Sequence, residues 1–205
     1  MSIAGRERTA LLALMATLGP DAPTLCGGWS THDLAAHLVS RERRPLALPG
    51  LVLGPLKGLT EHYEREARRT PYEDLLKVLE KGPPFWSPVV LSPANVHELF
   101  VHHEDVRRAQ ALGPRDLDRE TKDALWERLF VVGPVFTRRG KGLGITLVTP
   151  RGRSMRIRRG TDEIVLRGEV GELFLWLFDR RGIAEVTVEG SPDTVARANE
   201  MKLGL

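Results

Sequence analysis

Two side chains that could bind a metal ion, Glu98 and His102, lie four residues apart in a stretch without glycine or proline. Residues at this spacing lie one turn apart on the same face of an α-helix. The pair borders an apolar stripe that includes Leu99 and Val106, where a polar side chain is costly unless it has a partner. A divalent metal would be such a partner, because it binds both carboxylate oxygen and imidazole nitrogen. A solvated helix can also carry this pair by chance, so the spacing alone leaves both interpretations open.

A second helix offers a third candidate ligand. Leu34, His37 and Leu38 share one face of this helix, which places His37 within an apolar stripe. One interpretation is a buried histidine that is hydrogen-bonded to a neighbour. The other is a metal ligand, brought to the carboxylate–imidazole pair when the helices pack. His103 follows that pair directly and is a fallback ligand.

The only cysteine of the chain, Cys26, excludes an intrachain disulfide and suits a reducing cytoplasm. It lies in a loop before the second helix, together with Trp29. A nucleophilic thiol needs a basic partner, and His32 is a poor candidate for that role. We therefore expect Cys26 to have a packing role.

Length and composition describe an ordinary globular chain. Its 205 residues suit one domain or two small ones, and its hydrophobic and charged fractions are 41% and 28%. The net charge is +3, and residues 128–161 contain no acidic residue. Such a basic run could bind nucleic acid, but Phe130 and Phe136 are the only aromatic residues among its basic ones. We expect a solvated strand-and-turn surface and no nucleic-acid partner.

The N-terminal segment superficially resembles an export signal, because Arg6 and Arg8 precede an apolar run at 9–16. Glu7 interrupts the basic part, and no clean cleavage site follows. A first helix packed in a core explains the segment better. No apolar run approaches the length of a membrane span. We expect a cytoplasmic monomer or homodimer with no membrane partner.

Apolar periodicity and Gly/Pro breakers predict an α+β chain. Helices are expected at about 2–18, 31–43, 60–69, 72–80, 95–111 and 118–132. Strands are expected at 145–149, 154–158, 163–167 and 185–189, with helices at 169–181 and from Pro192. The predicted domains are a metal-binding helical bundle at 1–135 and a small α+β domain at 140–205.

Two motifs carry a resemblance to a known family. They are Leu-Cys-Gly-Gly-Trp-Ser-Thr-His-Asp-Leu-Ala-Ala-His-Leu at 25–38 and Glu-Leu-Phe-Val-His-His-Glu-Asp-Val-Arg-Arg-Ala at 98–109. They resemble the actinobacterial DinB-like metal-binding proteins of the mycothiol-dependent maleylpyruvate isomerase type. The resemblance implies an up-down four-helix bundle that holds a divalent metal, usually zinc. Its ligands would be His37, Glu98 and His102. The segment 168–178 resembles the sterol-carrier-like α+β domain of that family.

The resemblance also implies a chemistry. Three protein ligands leave a coordination position open, as in catalytic zinc sites, although the same ligand set suits nickel or non-haem iron. A thiol such as mycothiol would bind there and add to a small electrophilic substrate. The expected function is a thiol-dependent isomerase or thiol S-transferase. The catalytic arginine of the isomerase has no matching C-terminal motif here.

Two alternatives remain. A metal-dependent hydrolase would need a general base, and Glu104 and Asp105 are the nearest acidic residues. Asp105 lies seven residues from Glu98, two turns along nearly the same face, and could instead orient a ligand. A metal-containing module that binds or regulates without catalysis is the other alternative, because a fold does not determine a function.

Overall fold

The computed structural model describes residues 1–43, 57–87 and 94–204. The chain divides into two compact units, Met1–Gly113 and Pro114–Leu205. The first unit is helical and the second combines helices with a four-stranded sheet. The predicted α+β class is therefore confirmed.

Five helices are described in the first unit: α1 (Ile3–Leu18), α2 (Thr31–Arg43), α3 (Lys57–Ala67), α4 (Tyr72–Glu80) and α5 (Ala94–Ala109). Ser30 precedes α2 and caps its N-terminus, because its Oγ accepts from the backbone N–H of Asp33 and its own N–H donates to the Asp33 carboxylate. Helix α5 ends before the predicted position 111, where Ala111 adopts a left-handed φ of 57°.

The apolar stripes of α1, α2, α4 and α5 meet in one core. Its larger members are Leu11, Met15, Leu34, Leu38, Leu75, Leu79, Leu99 and Val106. Tyr72 closes one side, and its hydroxyl donates to the carbonyl of Met15 at 2.8 Å. This packing explains why the N-terminal apolar run forms a helix, since Leu11 and Met15 are fully buried.

Buried ion pairs link the helices beside this core. The Arg8 guanidinium of α1 pairs with Glu42 of α2 and donates to the Leu79 carbonyl at the end of α4 at 3.1 Å. Glu7 Oε2 lies 3.0 Å from His103 Nδ1 of α5. Buried charges are retained when they are paired, and loss of one partner is strongly destabilising. These pairs therefore hold α1 in one position against α2 and α5.

The second unit contains α6 (Arg119–Phe136), β1 (Leu143–Val148), β2 (Ser154–Arg158), β3 (Asp162–Arg167), α7 (Val170–Leu177), β4 (Thr187–Glu189) and α8 (Pro192–Glu200). The strand order is β2-β1-β3-β4, with β1 and β3 parallel and the other pairs antiparallel. Ile145 of β1 lies opposite Ile164 of β3. Helix α7 is buried along its length, as its apolar sequence predicts.

Helix α6 packs with the sheet, although the sequence predicted that residues up to 135 belong to the helical bundle. Gly133 lies against Ile157 of β2, and the Arg153 guanidinium lies 4.9 Å from the Trp126 ring centroid. The division between the units therefore falls at Gly113/Pro114 rather than at 135–140. Helix α7 is shorter than the predicted 169–181, and Asp179 just after it has a left-handed φ of 65°.

Within the described ranges, no helix is both long and apolar enough to cross a membrane.

The contact between α6 and β2 gives a stability prediction. A Cβ atom at Gly133 would lie 2.9 Å from two carbon atoms of Ile157, so Gly133→Val overpacks this contact. We expect the free energy of unfolding to fall by about 2 kcal/mol, measured by urea denaturation. Gly182→Val is the control, because a Cβ there meets no atom within 4 Å. Equal stability of the two variants would contradict the packing described.

Candidate metal centre

The structure brings the three predicted ligands together. His37 lies on α2, while Glu98 and His102 lie one turn apart on α5. The Oε1 atom of Glu98 lies 3.3 Å from Nε2 of His102 and 3.7 Å from Nε2 of His37. Ligand atoms of all three residues lie within 4.8 Å of one another.

These separations suit a divalent metal. Zinc binds nitrogen and oxygen at 2.0–2.2 Å, so neighbouring ligand atoms in a tetrahedral site are roughly 3.4 Å apart. The two distances to the Glu98 carboxylate lie close to that value. A cation between the three atoms would need only small side-chain adjustments.

Each histidine is oriented by a carboxylate at its other ring nitrogen. Nδ1 of His37 lies 2.8 Å from Oε1 of Glu64 on α3, and Nδ1 of His102 lies 3.2 Å from Oδ2 of Asp105. Both rings therefore present Nε2 towards Glu98. Metal-binding histidines commonly have such a carboxylate partner, which fixes the tautomer and the ring orientation.

Asp105 was expected to orient a ligand, and the structure places it against His102. Glu64 was not predicted. It is far from both motifs in sequence and shares no helical spacing with any candidate ligand. Its role depends on how α3 packs beside α2, and that packing leaves no local signal in the sequence.

Cys26 has polar partners as well as packing contacts. It packs at the edge of the apolar core, as expected, but its Sγ also lies 3.0 Å from Oδ2 of Asp105 and 3.5 Å from Nδ1 of His102. Cys26, His102 and Asp105 form a second group whose atoms could hold a metal. The two groups share His102 and use its opposite ring nitrogens.

The surroundings of Glu98 favour its ionised form. Burial raises the pKa of this carboxyl, but hydrogen bonds with His102 and His37 and the charge of Arg41 outweigh burial. The pKa of Glu98 is therefore held well below its usual value. The Arg41 Nε atom lies 3.4 Å from Oε1 of Glu98. The carboxylate is thus available as an anionic ligand.

His102 is shifted in the opposite direction. Burial lowers the pKa of this imidazole, but its bonds with Asp105, Cys26 and Glu98 together raise the pKa well above its usual value. A metal that binds Nε2 of His102 must therefore displace a proton. Glu64 has a lowered pKa, chiefly because of its hydrogen bond with His37.

Two other candidates from the sequence lie outside this group. The fallback ligand His103 contacts Glu7 of α1 instead. Glu104 is buried and pairs with Arg108 at 2.8 Å and with Arg107 at 3.4 Å. Neither residue is part of the two groups that could hold a metal.

Comparison with known proteins gives a structural likeness. No protein-family model matches the chain, and no curated protein sequence matches it. Two solved structures are similar: mycothiol-dependent maleylpyruvate isomerase and a histidine-to-alanine variant of the same enzyme. Each has a TM-score of 0.53 and 17% identity, over 91% of this chain and 90% of that chain. The chain therefore shares the fold of this enzyme, as the resemblance of its motifs predicted.

The raised pKa of His102 gives a pH-dependence for the metal-free protein. Because the pKa of His102 is higher in the folded state, its protonated form stabilises the fold. This stabilisation is fully present below the pKa that the imidazole has in the unfolded chain, about 6.5. That stabilisation is lost as the pH rises through the folded value. We therefore expect the free energy of unfolding, measured with a chelator present, to fall above about pH 6.5. Asp105→Asn should make this fall smaller, because it removes the partner at Nδ1. A wild-type stability that stays constant or rises from pH 6.5 to 9 would contradict this.

Proposed function

We propose that this chain binds a divalent metal, zinc in the first instance, through His37, Glu98 and His102. The observation that carries the proposal is the convergence of two imidazole Nε2 atoms on one Glu98 oxygen, at 3.3 and 3.7 Å. Two features support it. The carboxylate is ionised, and each imidazole has a carboxylate behind it.

We further propose that the protein is a mycothiol-dependent isomerase or thiol S-transferase that acts on a small electrophilic substrate. Three protein ligands leave a coordination position for a small molecule. When bound, the metal would supply Lewis acidity, which favours the thiolate form of a thiol. The likeness to mycothiol-dependent maleylpyruvate isomerase supports a thiol as the ligand. The DinB-like arrangement of the bundle and the sterol-carrier-like nature of the second unit belong to the same proposal.

Residues around the three ligands suit an anionic ligand. The Arg41 side chain is 10% exposed and lies against Glu98, so its charge would oppose a bare cation but favour an anion beside it. The Trp29 ring lies 5.0 Å from the His37 ring, centroid to centroid, and shields one side of that imidazole. In this proposal Arg41 stabilises the thiolate, while Trp29 keeps water from His37.

The hydrolase alternative has less support, because both acidic residues considered for its general base are engaged elsewhere. Glu104 is paired with two arginines, and the Asp105 carboxylate is directed to Nδ1 of His102 and Sγ of Cys26. A metal-containing module without catalysis uses the same ligands, and turnover distinguishes it from the enzyme.

Metal content tests the ligand assignment. His37→Ala and His102→Ala should each lower the zinc bound per chain to near zero after dialysis, because each removes one of three ligands. His62→Ala is the matched control. This histidine lies on α3 with a side chain that is 56% exposed, so the variant should retain the wild-type content. Atomic absorption measures the result. Similar zinc content in all three variants would remove the site.

Turnover tests the activity. The zinc-loaded protein should convert electrophilic substrates with activated double bonds when mycothiol is present. An S-transferase consumes the thiol, whereas an isomerase returns it and changes only the substrate. His102→Ala should lower the rate by at least about 100-fold, because loss of an outer-shell partner alone costs about 10–100-fold and this variant removes a ligand. Thiol consumption is followed with a thiol-specific reagent and substrate isomerisation by chromatography, and His62→Ala is again the control. Full zinc content with neither thiol consumption nor isomerisation across a substrate panel would favour the non-catalytic module.

A further inference from the structure

Helix α6 is apolar on two opposite faces. Its inner face is buried within the second unit, at Leu125, Leu129 and Gly133. On its outer face Phe130, Val131 and Val135 expose 65%, 53% and 41% of their surfaces, and Pro134 between them is also exposed. We call these four outward residues the α6 patch. Exposed apolar side chains that lie next to one another commonly mark an interaction surface, whereas single ones do not.

Opposite charges lie at the two ends of the α6 patch. Glu127 lies one turn before Val131, and Arg138 lies four residues after Pro134, in the turn that follows the helix. Both charged residues are exposed. Steps of four, three and four residues keep these four positions along one stripe of a helix. The outward stripe therefore runs from an acidic residue through two apolar residues to a basic one.

This stripe is complementary to a second copy of itself that runs in the opposite direction. When two identical helices pair about a two-fold axis, residue i of one copy faces residue j of the other, and j faces i. An axis midway between Val131 and Pro134 places these two residues opposite each other. It also places Glu127 of each copy opposite Arg138 of the other. Parallel pairing would instead bring like charges together, which opposes association.

We propose that the outward face of α6 is the interface of a homodimer with antiparallel α6 helices. The α6 patch is buried at the centre, and the two Glu127–Arg138 pairs at the rim fix the direction and register. The proposal does not rest on the proposed function, because these residues lie in the second unit and the candidate metal ligands lie in the first.

The size of the α6 patch sets the strength of the dimer. Stable complexes bury roughly 800 Å² on each partner, and smaller interfaces are transient. Four apolar side chains and two ion pairs bury less than that. We therefore expect a concentration-dependent dimer, largely dissociated at about 1 µM and largely associated at about 500 µM.

Sedimentation velocity of the full chain over this concentration range is the measurement. Val131→Glu should raise the dissociation constant at least about tenfold, because it places a charge at the centre of an apolar contact. Its melting temperature should match that of the wild type at about 1 µM, since the side chain is exposed in the monomer. Phe85→Glu is the matched control. Phe85 is also exposed but lies in the first unit, so this variant should dimerise like the wild type.

Charge exchange tests the pairing itself. Glu127→Arg and Arg138→Glu should each raise the dissociation constant about tenfold, because each places like charges opposite one another. The double variant should return to within about threefold of the wild type, since both pairs form again with their signs exchanged. Residues that only stabilise the monomer would not show this recovery.

A wild-type chain that stays monomeric at the highest concentration would overturn the proposal and leave the α6 patch to a different partner. A dimer that is unaffected by Val131→Glu would overturn it as well. Failure of the double variant to recover would overturn the antiparallel pairing. The zinc content of Val131→Glu should equal that of the wild type, which separates these results from the test of the metal ligands.

Discussion

The carboxylate of Glu98 is the group around which the candidate metal centre is organised. Three potential hydrogen-bond donors face its Oε1 atom: the imidazoles of His37 and His102 and the guanidinium of Arg41. A largely buried carboxylate needs such partners, because an unpaired charge is costly away from water. A divalent cation would satisfy the same need more directly. The hydrogen bonds and ion pairs at Glu98 therefore satisfy its charge without a metal, and the proposed cation would take over the same role.

The positions of these side chains depend on a rigid scaffold. The apolar core of the first unit fixes α1, α2, α4 and α5, and the pairs Arg8–Glu42 and Glu7–His103 fix their relative positions. Behind the two imidazoles, Glu64 and Asp105 prevent the rings from turning. Such support allows a site to hold a metal in one geometry.

Much of the fold could be predicted from the sequence. Capping residues, prolines and apolar periodicity placed the described helices and strands within a few residues of their observed ends. The predicted boundary at 135–140 differs from the division at Gly113/Pro114, because the apolar face of α6 does not show whether it covers a helix or a sheet. The contact at Gly133 shows that α6 covers the sheet. Its missing side chain allows close approach to Ile157 of β2, a contact that no periodicity reveals.

For the candidate site, the sequence by itself determined the relations within one helix. Glu98 and His102 share a face because a helix turns once in 3.6 residues. His37 was identified as a candidate ligand because it lies within an apolar stripe of its own helix. Tertiary structure decided everything that joins distant segments. Glu64 contacts a histidine 27 positions away, and Cys26 contacts one 76 positions away. The physical reason is that local spacing is set by backbone geometry, whereas contacts between helices depend on how the whole core packs.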